Sequence, residues 1–458
     1  MSRVGERGLL VIVHPHLCGA AILAHGIGGR EDLPLPLGWA VAGAAVAVVV
    51  SFVALGVLWH EPRLRSADAG RPLPARAAAL LDSRATRLVL GAAGLVATAW
   101  TLLALVLGKD DARNPVPWVV FVLLWVGLVP VSVVFGPVWR RVNPLRLLHA
   151  GLNRALRLDP TEGLRPLPVG LGWWPAATGL AAFAWFELAY PESTTLPALR
   201  WAVALYASVH LLAALTFGSR WFDRGDAFEA WSGLYGRVSP LGRRHDGTLV
   251  LRAPLVGLDA VRPAPGLVAT VSVMLGSTVY DGFSGSTAWV RFAQSQAVPR
   301  TLVSTVGLAL TVLAVGGLLV GCALAAGRLG GARDLRPLPG LFAPSVVPVA
   351  LGYVVAHYYS FFVLEGQNAL VRLSDPLGTG ADWLGTAGLT PNAALVSPGI
   401  VADLQVVAIV VGHVLGVVVA HDRAVSLFPR ARAVAGQVPL LVLMVTLTCT
   451  GLFLLFAG

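Results

Sequence analysis

Two apolar stretches near the C-terminus carry the residues most able to do chemistry. They are VVPVALGYVVAHYYSFFVLEGQ and VADLQVVAIVVGHVLGVVVAHDRA, which place His357, Glu365, Asp403, His413 and His421 in or at the ends of hydrophobic helices. An isolated charge at bilayer depth costs roughly 2.5–3.5 kcal/mol on insertion scales, so ionisable groups there pair, ligate an ion or line a polar path. Glu187 in AFAWFELAY and Asp281 in GSTVYDGFSGSTAW stand near the ends of two further apolar stretches. His25 opens the glycine- and proline-rich segment HGIGGREDLPLP. Imidazole and carboxylate together are the donor types of a divalent-metal site.

These residues need helices to hold them, and the composition says what kind. The 458-residue chain is 56% hydrophobic and 13% charged, with a mean hydropathy of +0.73. That balance excludes a water-soluble globule and defines an all-α, polytopic integral membrane bundle. At about 20 apolar residues per crossing, spans are expected near 37–59, 88–108, 118–138, 169–190, 198–218, 264–280, 301–326, 341–366, 399–420 and 437–457, about ten in all. Residues 8–24, GLLVIVHPHLCGAAILA, follow Arg3 and Arg7 and have the form of a signal peptide or an uncleaved anchor helix. The organisation is then residues 1–24 as signal or anchor and 25–458 as a single transmembrane domain.

The net charge of +10 comes from arginines between spans and sets orientation; it does not point to nucleic acid. Segments 60–87, 139–168, 219–263, 327–340 and 421–436 are basic and alternate with the short or nearly neutral 25–36, 109–117, 191–197, 281–299 and 367–398. The positive-inside rule puts the basic set in the cytoplasm and the C-terminus outside, in a plasma membrane. The bilayer is one partner, and a small lipophilic substrate or an ion is the other. Oligomeric state is not legible. Segment 219–263 is too short and polar for a core of its own, and Thr248–Arg252 has the makings of a short strand.

Helical rise converts this topology into depth. His357 falls in the outer half of its span, Glu365 at its outer end, and Asp403 enters the next span from the same side. With Glu187, Asp281 and His25 they make an outer cluster. His413 and His421 are eight residues apart, about 12 Å along one helix, too far for one ion. His421 reads as part of a cytoplasmic HDRA cap. His210 reads as a satisfied core histidine. The three cysteines lack CxxC spacing, and no Walker A loop or GxSxG elbow is present, against an ATP-driven pump or an ordinary serine hydrolase.

AHGIGGREDLPLPLGW, LGSTVYDGFSGSTAW, VPVALGYVVAHYYSFFVLEGQ and GHVLGVVVAHDRA, over nearly the whole chain, resemble the actinobacterial polytopic membrane proteins known as fenitrothion hydrolases. The resemblance implies organophosphate triester hydrolysis. Such chemistry needs a strong nucleophile and a positive clamp, both of which a divalent metal ion supplies. The expected assignment is His357, Asp403, Glu365, His25 and His413 as the pool of metal ligands, with Asp281 and Glu187 as catalytic carboxylates. The alternative is a transporter or metal-handling protein in which the same groups relay protons or ions, with the short 264–280 span acting as a half-helix. A haem between His357 and His413 is disfavoured by their different depths.

Overall fold

A computed structural model describes residues 36–65 and 67–456; the expected signal or anchor stretch and His25 lie outside the described residues. Among the described residues, ten long helices follow one another: α1 (Leu37–Leu58), α2 (Arg84–Leu107), α3 (Trp118–Phe135), α4 (Trp174–Leu188), α5 (Leu196–Phe217), α6 (Leu267–Ser284), α7 (Arg300–Gly330), α8 (Leu338–Leu373), α9 (Pro398–Leu427) and α10 (Arg430–Phe456). Each falls on one of the predicted spans. Eight are long and apolar enough to cross a membrane. The other two are α4, with 15 residues, and α6, with 18 residues and Asp281 near its end.

The helices sort by what surrounds them. In the most apolar stretch of α8, 78% of the residues are buried inside the protein, against 17% in α1 and α5. Many valines and leucines of the latter helices are left uncovered among the described residues, as expected where lipid is the solvent. α6 is buried along most of its length, because α4, α7 and α8 all pack on it. The closest pairing joins α8 to α9. A Cβ on Gly352 would stand 2.5 Å from the Ala408 carbonyl oxygen, and one on Gly412 would stand 2.9 Å from the Gly352 Cα, so bare backbones touch there. Small residues permit such approach where the hydrophobic effect cannot drive helices together.

α3 begins as a π-helix, Trp118–Val126, before tightening to Leu128–Phe135. The connection between α5 and α6 has no separate core and instead borrows that of the bundle. Its helix Ala227–Tyr235 is almost wholly buried, capped by Asp226, which accepts from the backbone N–H groups of Phe228 and Glu229. The Asp226 carboxylate also accepts from Tyr206 Oη at 2.7 Å and Asn143 Nδ2 at 2.8 Å. Arg146 grips Glu229 with two hydrogen bonds, at 2.7 and 3.2 Å. Burial pushes the Glu229 carboxyl up, and the Arg146 guanidinium pulls it back.

A small antiparallel sheet in the order β1–β3–β2 joins Arg71–Pro72 (β1) and Leu241–Arg243 (β2) to Leu249–Leu251 (β3). The strand expected within Thr248–Arg252 is thus β3, and it ties the connection after α1 to the one before α6. His421 corrects the expectation of a cap. α9 runs on to Leu427, and His421 is buried, with Nδ1 2.7 Å from Gln437 Oε1 and Nε2 2.8 Å from the Trp59 carbonyl oxygen. Apolar surface from α1 and α10 closes over a helix turn that reads as polar in one dimension.

Candidate functional site

The near-C-terminal turn of α6 and the middle of α8 meet at one point. His357 Nε2 lies 2.9 Å from Asp281 Oδ2, and Tyr358 Oη donates to the same oxygen at 2.6 Å. His357 and Asp281 are 11% and 8% exposed, so the pair is largely shut off from solvent. Adjacent residues on a helix point about 100° apart. Both still reach Asp281, because it stands between them, and their rings meet edge-on at 80° with centroids 4.8 Å apart.

Two more polar groups share this compartment. Glu187, next to last in α4, keeps Oε2 buried with no hydrogen-bond partner among the described residues. Its carboxyl lies within electrostatic range of both Asp281 and Tyr358. Tyr353, one turn before His357, buries a hydroxyl that likewise has no partner among the described residues. That hydroxyl sits against Gly282, where an added Cβ would be 2.8 Å from it. Gly282 therefore leaves room for Tyr353 beside Asp281. Just past the end of α6, Trp289 packs edge-on to Tyr280 at 5.6 Å and tilted against Phe283 at 5.1 Å.

The other expected site residues are elsewhere. Glu365 accepts from Trp118 Nε1 at 2.6 Å and from Asn368 Nδ2 at 3.3 Å. It belongs with Arg372, whose guanidinium lies 4.1 Å from the Trp118 ring centroid. Asp403 is exposed on α9. His413 is fully buried, but its Nδ1 donates to the Ile409 carbonyl at 2.7 Å and its Nε2 has no partner among the described residues. His210 accepts from Trp221 Nε1 at 3.0 Å, the satisfied core histidine that its surroundings implied.

Of the expected pool, the fold joins Asp281 to His357, brings Glu187 within electrostatic range of Asp281, and leaves Glu365, Asp403 and His413 apart. Tyr358 and Tyr353 were missed by sequence reasoning; their signal is position alone, next to His357 and one turn before it. Among the described residues, no three His, Cys, Asp or Glu side chains gather closely enough to hold a metal ion. Chemically, the cluster can hold a proton and pass it between oxygen and nitrogen within one apolar compartment.

No protein-family model, curated protein or solved structure matches the chain. Fold and composition define it as a multi-pass helical membrane protein.

Proposed function

We propose that the chain is a proton-coupled transporter whose proton-carrying site is Asp281, His357, Glu187 and Tyr358. The observation that carries this reading is the 2.9 Å His357–Asp281 hydrogen bond inside apolar helices, with a second buried carboxyl, Glu187, within electrostatic range of Asp281 and its Oε2 without a partner among the described residues. Buried charged groups normally have partners, and an orphaned carboxyl oxygen next to an acid–imidazole pair is a place for a mobile proton. The imidazole keeps its Nε2 toward Asp281 while Tyr358 fixes the carboxylate, so Glu187 is the group free to exchange. The test is proton flux into liposomes bearing the reconstituted protein and an internal pH dye. Asp281→Asn and Glu187→Gln should each reduce flux at least tenfold. Wild-type flux in both variants overturns the reading.

A phosphotriester hydrolase is the second reading, favoured by the same pair, since a histidine hydrogen-bonded to a carboxylate is a general base. The divalent ion expected from the sequence belongs to this reading. His357 and Asp281 alone make two donors where metal sites usually have more, so no step is routed through an ion here. Release of the phenol from an aromatic phosphotriester checks the activity, and elemental analysis of the wild type beside His357→Ala checks the metal. Turnover that survives in His357→Ala removes this reading.

Either activity needs a topology, and we infer ten crossings, with the basic connections in the cytoplasm. The support is parity. The β1–β3 pairing joins segments separated by α2, α3, α4 and α5, and Asp110 accepts from the Leu196 backbone across α3 and α4 at 3.0 Å. If α4 stopped short, each pair would face opposite sides of the bilayer. The Arg423–Asp259 ion pair, at 3.2 Å across α6 to α9, makes the same demand of α6.

A further inference from the structure

We propose that Arg252 and Arg237 form a binding site for a phosphate group at the end of the bundle that carries the β-sheet. Arg252 follows β3 directly and is 7% exposed, yet its Nε has no hydrogen-bond partner among the described residues. Nor does it take part in any ion pair there, whereas Arg140, Arg146, Arg243 and Arg423 of the same end are each matched by a carboxylate. The charged group that bears on its ionisation is another cation, Arg237, whose backbone carbonyl lies beside the Arg252 fork and whose own side chain forms no ion pair among the described residues. Buried cations ordinarily come with an anion. Here neither arginine has a carboxylate partner among the described residues.

No acid holds the guanidinium among the described residues. Its residue is anchored where the Arg252 N–H donates to the Pro240 carbonyl at 2.8 Å. Gly242 and Gly257 flank the fork: a Cβ on Gly242 would overlap Arg252 Cζ, and one on Gly257 would overlap Arg252 Nη2 and the Arg237 carbonyl oxygen. Gly257 therefore lets the Arg252 fork lie beside the Arg237 backbone. A rigid guanidinium fork matches two oxygens of a phosphate group, and a second guanidinium at its side suits a doubly charged one. Burial pushes Arg252 down from its usual range, and the Arg237 charge adds to this; a bound anion would offset both. Arg237 is exposed and gives the ligand its way in.

The phosphate group has two sources, a soluble phosphate or the headgroup of an anionic lipid. The experiment uses the full chain in phosphatidylcholine nanodiscs and reads the unfolding temperature against inorganic phosphate at constant ionic strength, with chloride as the control. A parallel series replaces part of the lipid with phosphatidylglycerol. Saturable stabilisation by phosphate identifies a soluble ligand, and stabilisation by phosphatidylglycerol alone identifies a headgroup; either supports the site. In both cases Arg252→Met should abolish the shift, and Arg237→Met should weaken apparent affinity by about tenfold, as for loss of one charge-assisted hydrogen bond. If Arg252→Met fails to fold, Arg237→Met, altered at the exposed rim, decides alone. No stabilisation by either phosphate source, or a shift unchanged in the variants, overturns the proposal.

Discussion

At Asp281 Oδ2 two donors converge, His357 Nε2 and Tyr358 Oη, so the two contributions can be separated by substitution. Tyr358→Phe keeps the ring and removes one donor. A hydrogen bond to a charged group is worth about 1.5–3 kcal/mol, so flux, or turnover in the hydrolase reading, should fall by about tenfold or more with the fold intact by circular dichroism. An unchanged rate would make Tyr358 a packing residue. Asp422 offers a structural counterpart: its carboxylate accepts from Trp59 Nε1 and the backbone N–H groups of Arg63 and Leu64. Asp422→Ala orphans three donors at about 1–3 kcal/mol each when buried. It should lower the unfolding temperature and admit protease to residues 59–64. Depth explains which of these residues could be read from the sequence. Rise per residue put His357, Asp281, Glu187, Glu365 and Asp403 near one level, but azimuth is set by packing partners. Glu365 turns to Trp118 and Asp403 turns outward, and nothing in a linear sequence separates them from Glu187.

Among the helices, the α8–α9 contact is the most exacting. Gly352 and Gly412 meet backbone to backbone, and one turn further Gly416 would carry a Cβ 2.9 Å from the Ser345 carbonyl oxygen. Gly412→Ala must push the helices apart, and since α8 also carries His357, that shift alters the site. It should lower both thermal stability and activity. Gly317→Ala and Gly321→Ala in α7 add a methyl group where nothing lies within 4 Å, so they should be neutral or slightly stabilising, because alanine is the better helix former. Equal effects at all three positions would show that the contact is not limiting. Hydropathy located these helices because lipid imposes a length; it could not tell a lipid-facing glycine from one at an interface, since both sit in apolar runs. It also ended the sixth span at 280, one residue before Asp281, because a carboxylate resembles an interface; in the fold α6 continues to Ser284.

For the whole molecule, topology is decided by which ends of the helices share a side. α4, at about 1.5 Å per residue, spans only about 22 Å, and a hydrocarbon core is about 30 Å thick. A crossing by α4 therefore requires local thinning or polar ends that reach the interface. The chain's own contacts argue that it crosses, as the sheet and the Asp110–Leu196 hydrogen bond each join segments separated by an even number of long helices only if α4 counts. Charge argues likewise: with α4 and α6 both removed from the count, the basic segment 219–263 would leave the side occupied by 60–87 and 139–168. Single cysteines in a background lacking the native ones make this measurable in intact cells. Gln296→Cys and Glu192→Cys should react with a membrane-impermeant maleimide from outside, while Arg157→Cys and His245→Cys should react only after permeabilisation. If Arg157→Cys and Glu192→Cys label alike, α4 does not cross. If His245→Cys and Gln296→Cys label alike, α6 does not. Loss of the α6 crossing would also break the pairing of Asp259 with Arg423, so Asp259→Asn, harmless to a chain that never forms that pair, becomes the second check on the same count.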